Sequence, residues 1–273
     1  MNKKIAVVIR VYDRMADLDV CIQNIRNYWK LNDYYIIISS NGKSSGFTVS
    51  EETKVLADKV IELENNAGHL KGNSQLLKEG IKYIPNECEI LIILEADTWI
   101  YDDSIINNYI LKLYEKDIDW ASAEWIERKY SLAVDIAVLK KKLLQEIPDI
   151  FDFTKSPEAY IANKLLENNK KFIYLKENMP VHISSFIRNF YNYYHGRLRV
   201  FPKAKMVTHH IEDLNGGIEE KKEIVNYCLG EKKYDISAKN IFLENLKIRF
   251  IIFLIKYLPK SSWYKKKKIQ KEF

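Results

Sequence analysis

Short β-branched apolar runs alternate with segments of helical period along the first hundred residues, and this pairing restricts the fold more than anything else in the chain. Lys4–Arg10 (KIAVVIR), Tyr34–Ile38 (YYIII) and Glu89–Leu94 (EILIIL) each read as a strand buried on both faces. Val60–Leu63 reads as a shorter strand. Between them, Ala16–Tyr28 places Leu18, Cys21, Ile22 and Ile25 at helical spacing, and Asn73–Ile84 places Leu76, Leu77, Gly80, Ile81 and Ile84 on one side. Glu51–Asp58 reads as a short helix. Strands that alternate with helices predict an α/β fold, a mainly parallel sheet with helices on both faces. Ligands of such sheets bind beyond the C-terminal strand ends, so the residues after each strand carry the functional reading.

The second half is less regular. Trp120–Ile126, Ala133–Leu139 and Phe172–Leu175 read as strands, and Gly217–Cys228 and Lys239–Tyr257 as helices. Ser156-Pro157-Glu158 opens a helix to about Glu167, with Ser as N-cap, Pro at the first helical position and Glu in the first turn. Apolar residues make up 47% and charged residues 29% of the 273, which excludes a mainly disordered chain. Cys21, Cys88 and Cys228 lie far apart without a CxxC, which argues against structural zinc and a disulfide framework and for reduced thiols in a cytoplasm. Arg10 interrupts the first apolar run, so it does not read as a secretory signal, and no stretch reaches the roughly 18 apolar residues of a spanning helix.

The strand ends are polar. The first delivers Arg10, Tyr12, Asp13 and Arg14; the second Ser39, Ser40, Asn41 and Gly42; Val60–Leu63 leads into Glu64–Asn73 (ENNAGHLKGN). EILIIL runs into Glu95-Ala96-Asp97, two acids at i and i+2 that a strand end aims toward one site. Hard oxygen ligands of this kind suit Mg²⁺ or Mn²⁺, with substrate phosphates completing the shell. No GxGxxG, Walker A, HExxH or GxSxG pattern is present, which disfavours a Rossmann dehydrogenase, a P-loop kinase, a zincin and an α/β-hydrolase.

These segments together resemble a GT-A glycosyltransferase, and among those most resemble family 2. IAVVIRVYDRMADLDVCIQNI is similar to that family's opening strand and helix, IIISSNGKS to its second strand, ENNAGHLKGNSQLLKEGIKYI to the segment lining the donor site, and LIILEADTWIYDD to the strand carrying its DxD motif. The resemblance implies donor binding through Arg10, Tyr12, Ser40, Asn41, Asn66, His69, Lys71, Asn73 and Glu95, and a metal, Mn²⁺ or Mg²⁺, on Asp97. Two departures stand out: Glu95 replaces the first Asp of the motif, and Ser39, Ser40 and Asn41 occupy the stretch where the family often holds the base with an Asp. His69 meets donor phosphate or caps a loop. By the same resemblance Glu158 of SPEAY takes the place of the catalytic base, with Asp152 and Glu124 as alternatives, and His209 or His210 adds a late metal ligand, His209 being the one assigned. Adjacent histidines on a strand face opposite ways, so at most one serves.

The implied activity is metal-dependent, inverting transfer of a sugar from a nucleotide-sugar to a glycan or lipid-linked acceptor in bacterial surface-polysaccharide assembly. Residues 1–235 form the catalytic domain, with a donor half at about 1–103 and an acceptor half at about 104–235, and 236–273 a basic helical tail. Phe190–Arg199 (FYNYYHGRLR) is either an acceptor loop or a packed aromatic cluster.

The tail is electrically distinct. From Lys239 to the end there are 10 Lys+Arg and 2 Asp+Glu, a net of +8, whereas the whole chain is +6, so the preceding residues carry −2. An apolar helix, then Trp263, Tyr264 and Lys265–Lys268, suits attachment to an anionic membrane surface and not nucleic acid, and so a peripheral place on the inner face of the cell membrane. Two rivals remain: a non-catalytic membrane-associated scaffold, and a nucleotidyltransferase, which would want a Gly-rich loop where Arg10–Arg14 has no Gly.

Overall fold

The structure, a computed structural model, describes residues 4–124, 130–175, 199–208, 217–230, 239–257 and 264–265. Strands β1 (Lys4–Val11), β2 (Asp33–Ser40), β3 (Lys59–Glu62) and β4 (Ile90–Glu95) pair in parallel in the order β4-β1-β2-β3. β7 (Leu132–Lys140) runs antiparallel between β4 and β6 (Trp120–Glu124), and β6 pairs in parallel with β8 (Phe172–Leu175). The two-residue β11 (Tyr264–Lys265) closes that edge against β8. A second small sheet joins β5 (Trp99–Ile100), β10 (Met206–Thr208) and β9 (Arg199–Phe201), all antiparallel.

Strand alternation sorts the core into two layers. Ile5, Val7, Ile9, Ile36, Ile38, Ile90, Ile92 and Leu94 face one side, against α1 (Met15–Tyr28), α4 (Ser104–Glu115), the small sheet and the helix Gly217–Leu229. Ala6, Val8, Ile37, Leu91 and Ile93 face the other, against α3 (His69–Ile81), α5 (Leu143–Glu146) and α6 (Pro157–Glu167). The short α2 (Glu51–Leu56) is capped by Ser50, whose hydroxyl accepts from the Thr53 amide at 3.2 Å. Cys21, Cys88 and Cys228 are buried thiols.

Several local readings change. α3 starts at His69, four residues before the expected Asn73, because Gly68 at φ +94° turns the chain into the helix. Ser156 does not cap α6: at φ +39° it is left-handed, and its hydroxyl makes no cap hydrogen bond. The sheet is more mixed than the alternation implied, because β7 is antiparallel to both neighbours. Helix α4 was not anticipated, although Ile105, Ile106, Tyr109, Ile110 and Leu113 bury one face.

Candidate active site

A cavity of about 550 Å³ opens at the C-terminal ends of β1 and β4. Its walls are the first turns of α3 and α6 and the Val134–Asp135 step of β7. Parallel pairing sets Arg10 beside Glu95, and both side chains point to the α3/α6 side. Arg10 is nearly fully buried. Its Nη2 donates to Glu95 Oε1 at 2.9 Å and to the Val134 carbonyl at 2.5 Å. Its Nε and Nη1 find no hydrogen-bond partner among the described residues. Two unused donors on a buried guanidinium in a cavity wall suit an anionic ligand.

The adjoining wall is a cluster of amides. Asn41 Nδ2 lies 3.3 Å from both Asn66 Oδ1 and the Gly72 carbonyl, and 3.4 Å from Gln75 Oε1. With three acceptors around the amide nitrogen, the buried Asn41 Oδ1 finds no partner among the described residues. Asn66 Oδ1 also accepts from the Gly68 amide at 2.9 Å. Gly72 is required here, because a Cβ would sit 2.2 Å from Asn66 Oδ1. Gly42 allows the Tyr12 backbone to pass, since a Cβ there would lie 2.2 Å from the Tyr12 carbonyl oxygen. Tyr12 itself packs edge-on against Phe47 at 5.5 Å and shares a 3.2 Å hydrogen bond with Ser45.

Of the residues expected from sequence, Arg10, Tyr12, Asn41, Asn66, His69, Asn73, Glu95, Asp97 and Glu158 line this one cavity. Ser40 and Lys71 are not on its wall. Ser40 shares the Ile36/Ile38 face of β2, so it points to the α1 side. Lys71 is exposed because the cavity-facing positions of α3 are His69, Leu70, Gly72, Asn73 and Leu76, which turns residue 71 outward. Asp152 pairs with Lys78 away from the cavity. Glu124 ends β6, and its side chain, His209, His210 and residues 190–198 of the aromatic stretch lie outside the described residues.

Asp135 was missed. It lines the cavity from β7, next in register to the Ile136–Leu94 pair, and its carboxylate accepts from the Ile136 amide at 3.0 Å. The available signal was one acid inside the otherwise apolar run LAVDIAVL.

Behind the Glu95–Trp99 turn lies a second buried charge pair. Lys221, from helix Gly217–Leu229, contacts Asp17 of α1 and sits 4.9 Å from the centre of the Trp99 ring. The Trp99 indole donates to the Asp17 carbonyl at 3.2 Å, and the Cys21 thiol to the Thr98 carbonyl at 3.5 Å. Burial raises the Asp17 pKa and lowers that of Lys221, while each opposes the other's shift, and the charge of Asp97 also acts on Lys221. The turn that presents Asp97 is thus held from below by α1 and a C-terminal helix. β10 reaches the same place: its Val207 pairs with Trp99, and Thr208 follows.

The cavity gathers five carboxylates, on Asp13, Glu95, Asp97, Asp135 and Glu158, against the guanidinium groups of Arg10 and Arg14. A phosphate ligand entering such a wall needs added positive charge, so the donor set fits a divalent cation shared with the ligand. Among the described residues no three His, Cys, Asp or Glu side chains form a metal cluster.

No protein-family model and no curated protein sequence matches the chain. Among solved structures it is similar to a mannosyltransferase of Pyrobaculum calidifontis in complex with GDP-Man and Mn²⁺, at TM-score 0.51 and 13% identity, over 64% of this chain and 55% of that one. The chain therefore spans about half the length of that enzyme. It is also similar to TarS of S. aureus, at 0.48 and 12%, over 63% of this chain and 35% of that one. A third is 4-diphosphocytidyl-2C-methyl-D-erythritol synthase of Anaerococcus prevotii, at 0.42 and 12%, over 62% and 85%. The first of these shows the fold: the chain has the GT-A type of α/β architecture. At such identity the fold alone is shared, and the reaction must be argued from the residues.

Proposed function

We propose that the protein is a nucleotide-sugar-dependent glycosyltransferase, acting on a glycan or lipid-linked acceptor. The observation that carries the reading is the convergence of buried Arg10, the Asn41/Asn66 amide wall, Asp97 and Glu158 on one cavity at the strand ends. The amide wall would face the nucleoside, with Asn41 Oδ1 accepting from a base N–H. Arg10 would bind donor oxygens through Nε and Nη1 while its Nη2 stays on Glu95. The Glu95 carboxylate anchors Arg10, and Asp97, the final acid of the strand-end motif, is proposed to hold a cation. His209 is proposed to join it. A bound Mn²⁺ or Mg²⁺ would supply charge neutralisation for the departing diphosphate.

Glu158 lies in the first turn of α6 and lines the cavity. In the proposed inverting reaction it takes the proton of the acceptor hydroxyl as the new bond forms to the anomeric carbon. Asp135 stands on the same wall and orients the sugar hydroxyls. The catalytic unit is proposed to span 1–235, with donor contacts from about 1–103. Bacterial surface-polysaccharide assembly at the inner face of the cell membrane is the setting such a substrate pair suggests. Among the described residues no helix is long and apolar enough to cross a membrane.

The test is release of nucleoside diphosphate from a panel of UDP-, GDP- and dTDP-sugars with Mn²⁺. One donor should be turned over, Glu158→Gln should lose most of the rate with little change in donor affinity, and Asp97→Ala should lose both. Equal rates in Glu158→Gln would reject the base assignment.

A further inference from the structure

Among the described side chains of the helix Lys239–Tyr257, the apolar ones fall on two opposed sides. Ile252 is buried in the main core and Ile251 packs against it, so that side fastens the helix to the body. Phe242, Leu243, Leu246, Phe250, Phe253, Leu254 and Tyr257 are all exposed, from 47% for Leu254 to 75% for Tyr257. At 3.6 residues per turn these seven fall within an arc of about 120°, on the side away from Ile252. The same rotation puts exposed Lys247 just beyond one edge of the arc and exposed Arg249 just beyond the other, each about 20° outside it.

We propose that this face docks on an anionic lipid bilayer, with the helix lying in the plane of the interface. A stripe of aromatic and leucine side chains with a cation on each border fits the boundary between acyl chains and headgroups. The apolar groups enter, and the long basic side chains reach back to phosphates. Lys247 and Arg249 sit mid-helix, which excludes a spanning orientation and favours a lateral one. The occupant is taken to be lipid and not a second copy of the chain because of charge. The stretch from Lys239 on has a net charge of +8 and would repel its own copy but attract an anionic surface. The inference does not depend on the transfer reaction.

The test uses the full chain and vesicles of phosphatidylcholine, with and without about a quarter phosphatidylglycerol, read by co-sedimentation. Binding should occur to the anionic vesicles and weaken in high salt, where screening shortens to about 3 Å at 1 M. Phe250→Ser with Phe253→Ser should weaken it at least tenfold, and Lys247→Ser with Arg249→Ser about 30-fold, from the roughly tenfold-or-less share each basic residue contributes near anionic lipid. Circular dichroism and nucleotide-induced thermal shift should be unchanged in both variants, which separates lost docking from lost folding. Failure of the unaltered protein to sediment with anionic vesicles overturns the proposal. So does a stable dimer in analytical ultracentrifugation that the Phe250/Phe253 substitutions dissociate without any vesicle binding.

Discussion

Substituting Lys221 by Met tests whether the Asp97 turn rests on a buried charge pair. Lys221 and Asp17 side chains are each 6% exposed, so neither can turn to water when the other is removed. Breaking a buried pair by deleting one member costs about 3–5 kcal/mol. Loss of the ammonium over Trp99 removes an aromatic contact as well. Asp17 can escape part of this cost by taking a proton, since burial already raises its pKa. The expectation is thus the low end, about 3 kcal/mol at neutral pH. That corresponds to a melting temperature lower by roughly 6–12 °C. Adding Asp17→Asn removes the stranded charge, so the double variant should recover at least about 1 kcal/mol relative to Lys221→Met alone. The pH dependence has a defined sign. An acid whose folded pKa lies above its unfolded value binds its proton more tightly in the folded state. The deficit of Lys221→Met should therefore shrink as pH falls from neutral toward the ordinary carboxylate range, because the raised pKa of Asp17 lets the folded state take up the proton first. Urea unfolding at several pH values measures all of this. A loss under about 1 kcal/mol, or a double variant as unstable as the sum of the singles, would refute the reasoning.

Gly72→Ala places a methyl 2.2 Å from Asn66 Oδ1 and 3.0 Å from Asn41 Nδ2, so it should cost about 1–3 kcal/mol and weaken nucleotide binding relative to the unaltered protein. Calorimetric titration of the nucleotide reads the difference. Arg10→Leu removes charged donors and strands Glu95, and should weaken donor binding roughly 10- to 100-fold, read as a rise in the donor dissociation constant. On the surface, hydrogen bonds from lysines lower the pKa values of Asp117, Glu146 and Asp149. Their stabilisation is present above the ordinary carboxylate range and is lost as pH falls through the depressed values, so urea midpoints should drop below about pH 4 and less so in Asp117→Asn.

Strands β1, β2 and β4 were legible because each is largely buried on both faces and so carries a continuous apolar run; they lie within two residues of their expected limits. The amphipathic helices were legible by period, and α4 was equally readable from Ile105, Ile106, Tyr109, Ile110 and Leu113. The short strands β5, β9 and β10 were not, since two or three residues carry no period and their pairing is long-range. The site was visible as a list of strand-end residues but not as an arrangement. That Glu95 answers Arg10 depends on the β1/β4 register. The Asp17–Lys221 pair joins residues 204 apart, which no local pattern reports. Ser40 and Lys71 had suitable chemistry and position in sequence, yet strand alternation and helix rotation turn both from the cavity.

The central claim is that this cavity binds the nucleotide of a sugar donor with a divalent cation on Asp97. The most direct measurement is the thermal shift of the purified protein with UDP, GDP, CMP or dTDP, each with and without Mn²⁺. A ligand that binds only the folded state raises its apparent stability, by about 2.7 kcal/mol at a hundred times its dissociation constant. The account predicts a clear rise with one nucleotide, dependent on Mn²⁺, absent in Asp97→Ala and reduced in Arg10→Leu. An equal rise without Mn²⁺, or an undiminished one in Asp97→Ala, would contradict it.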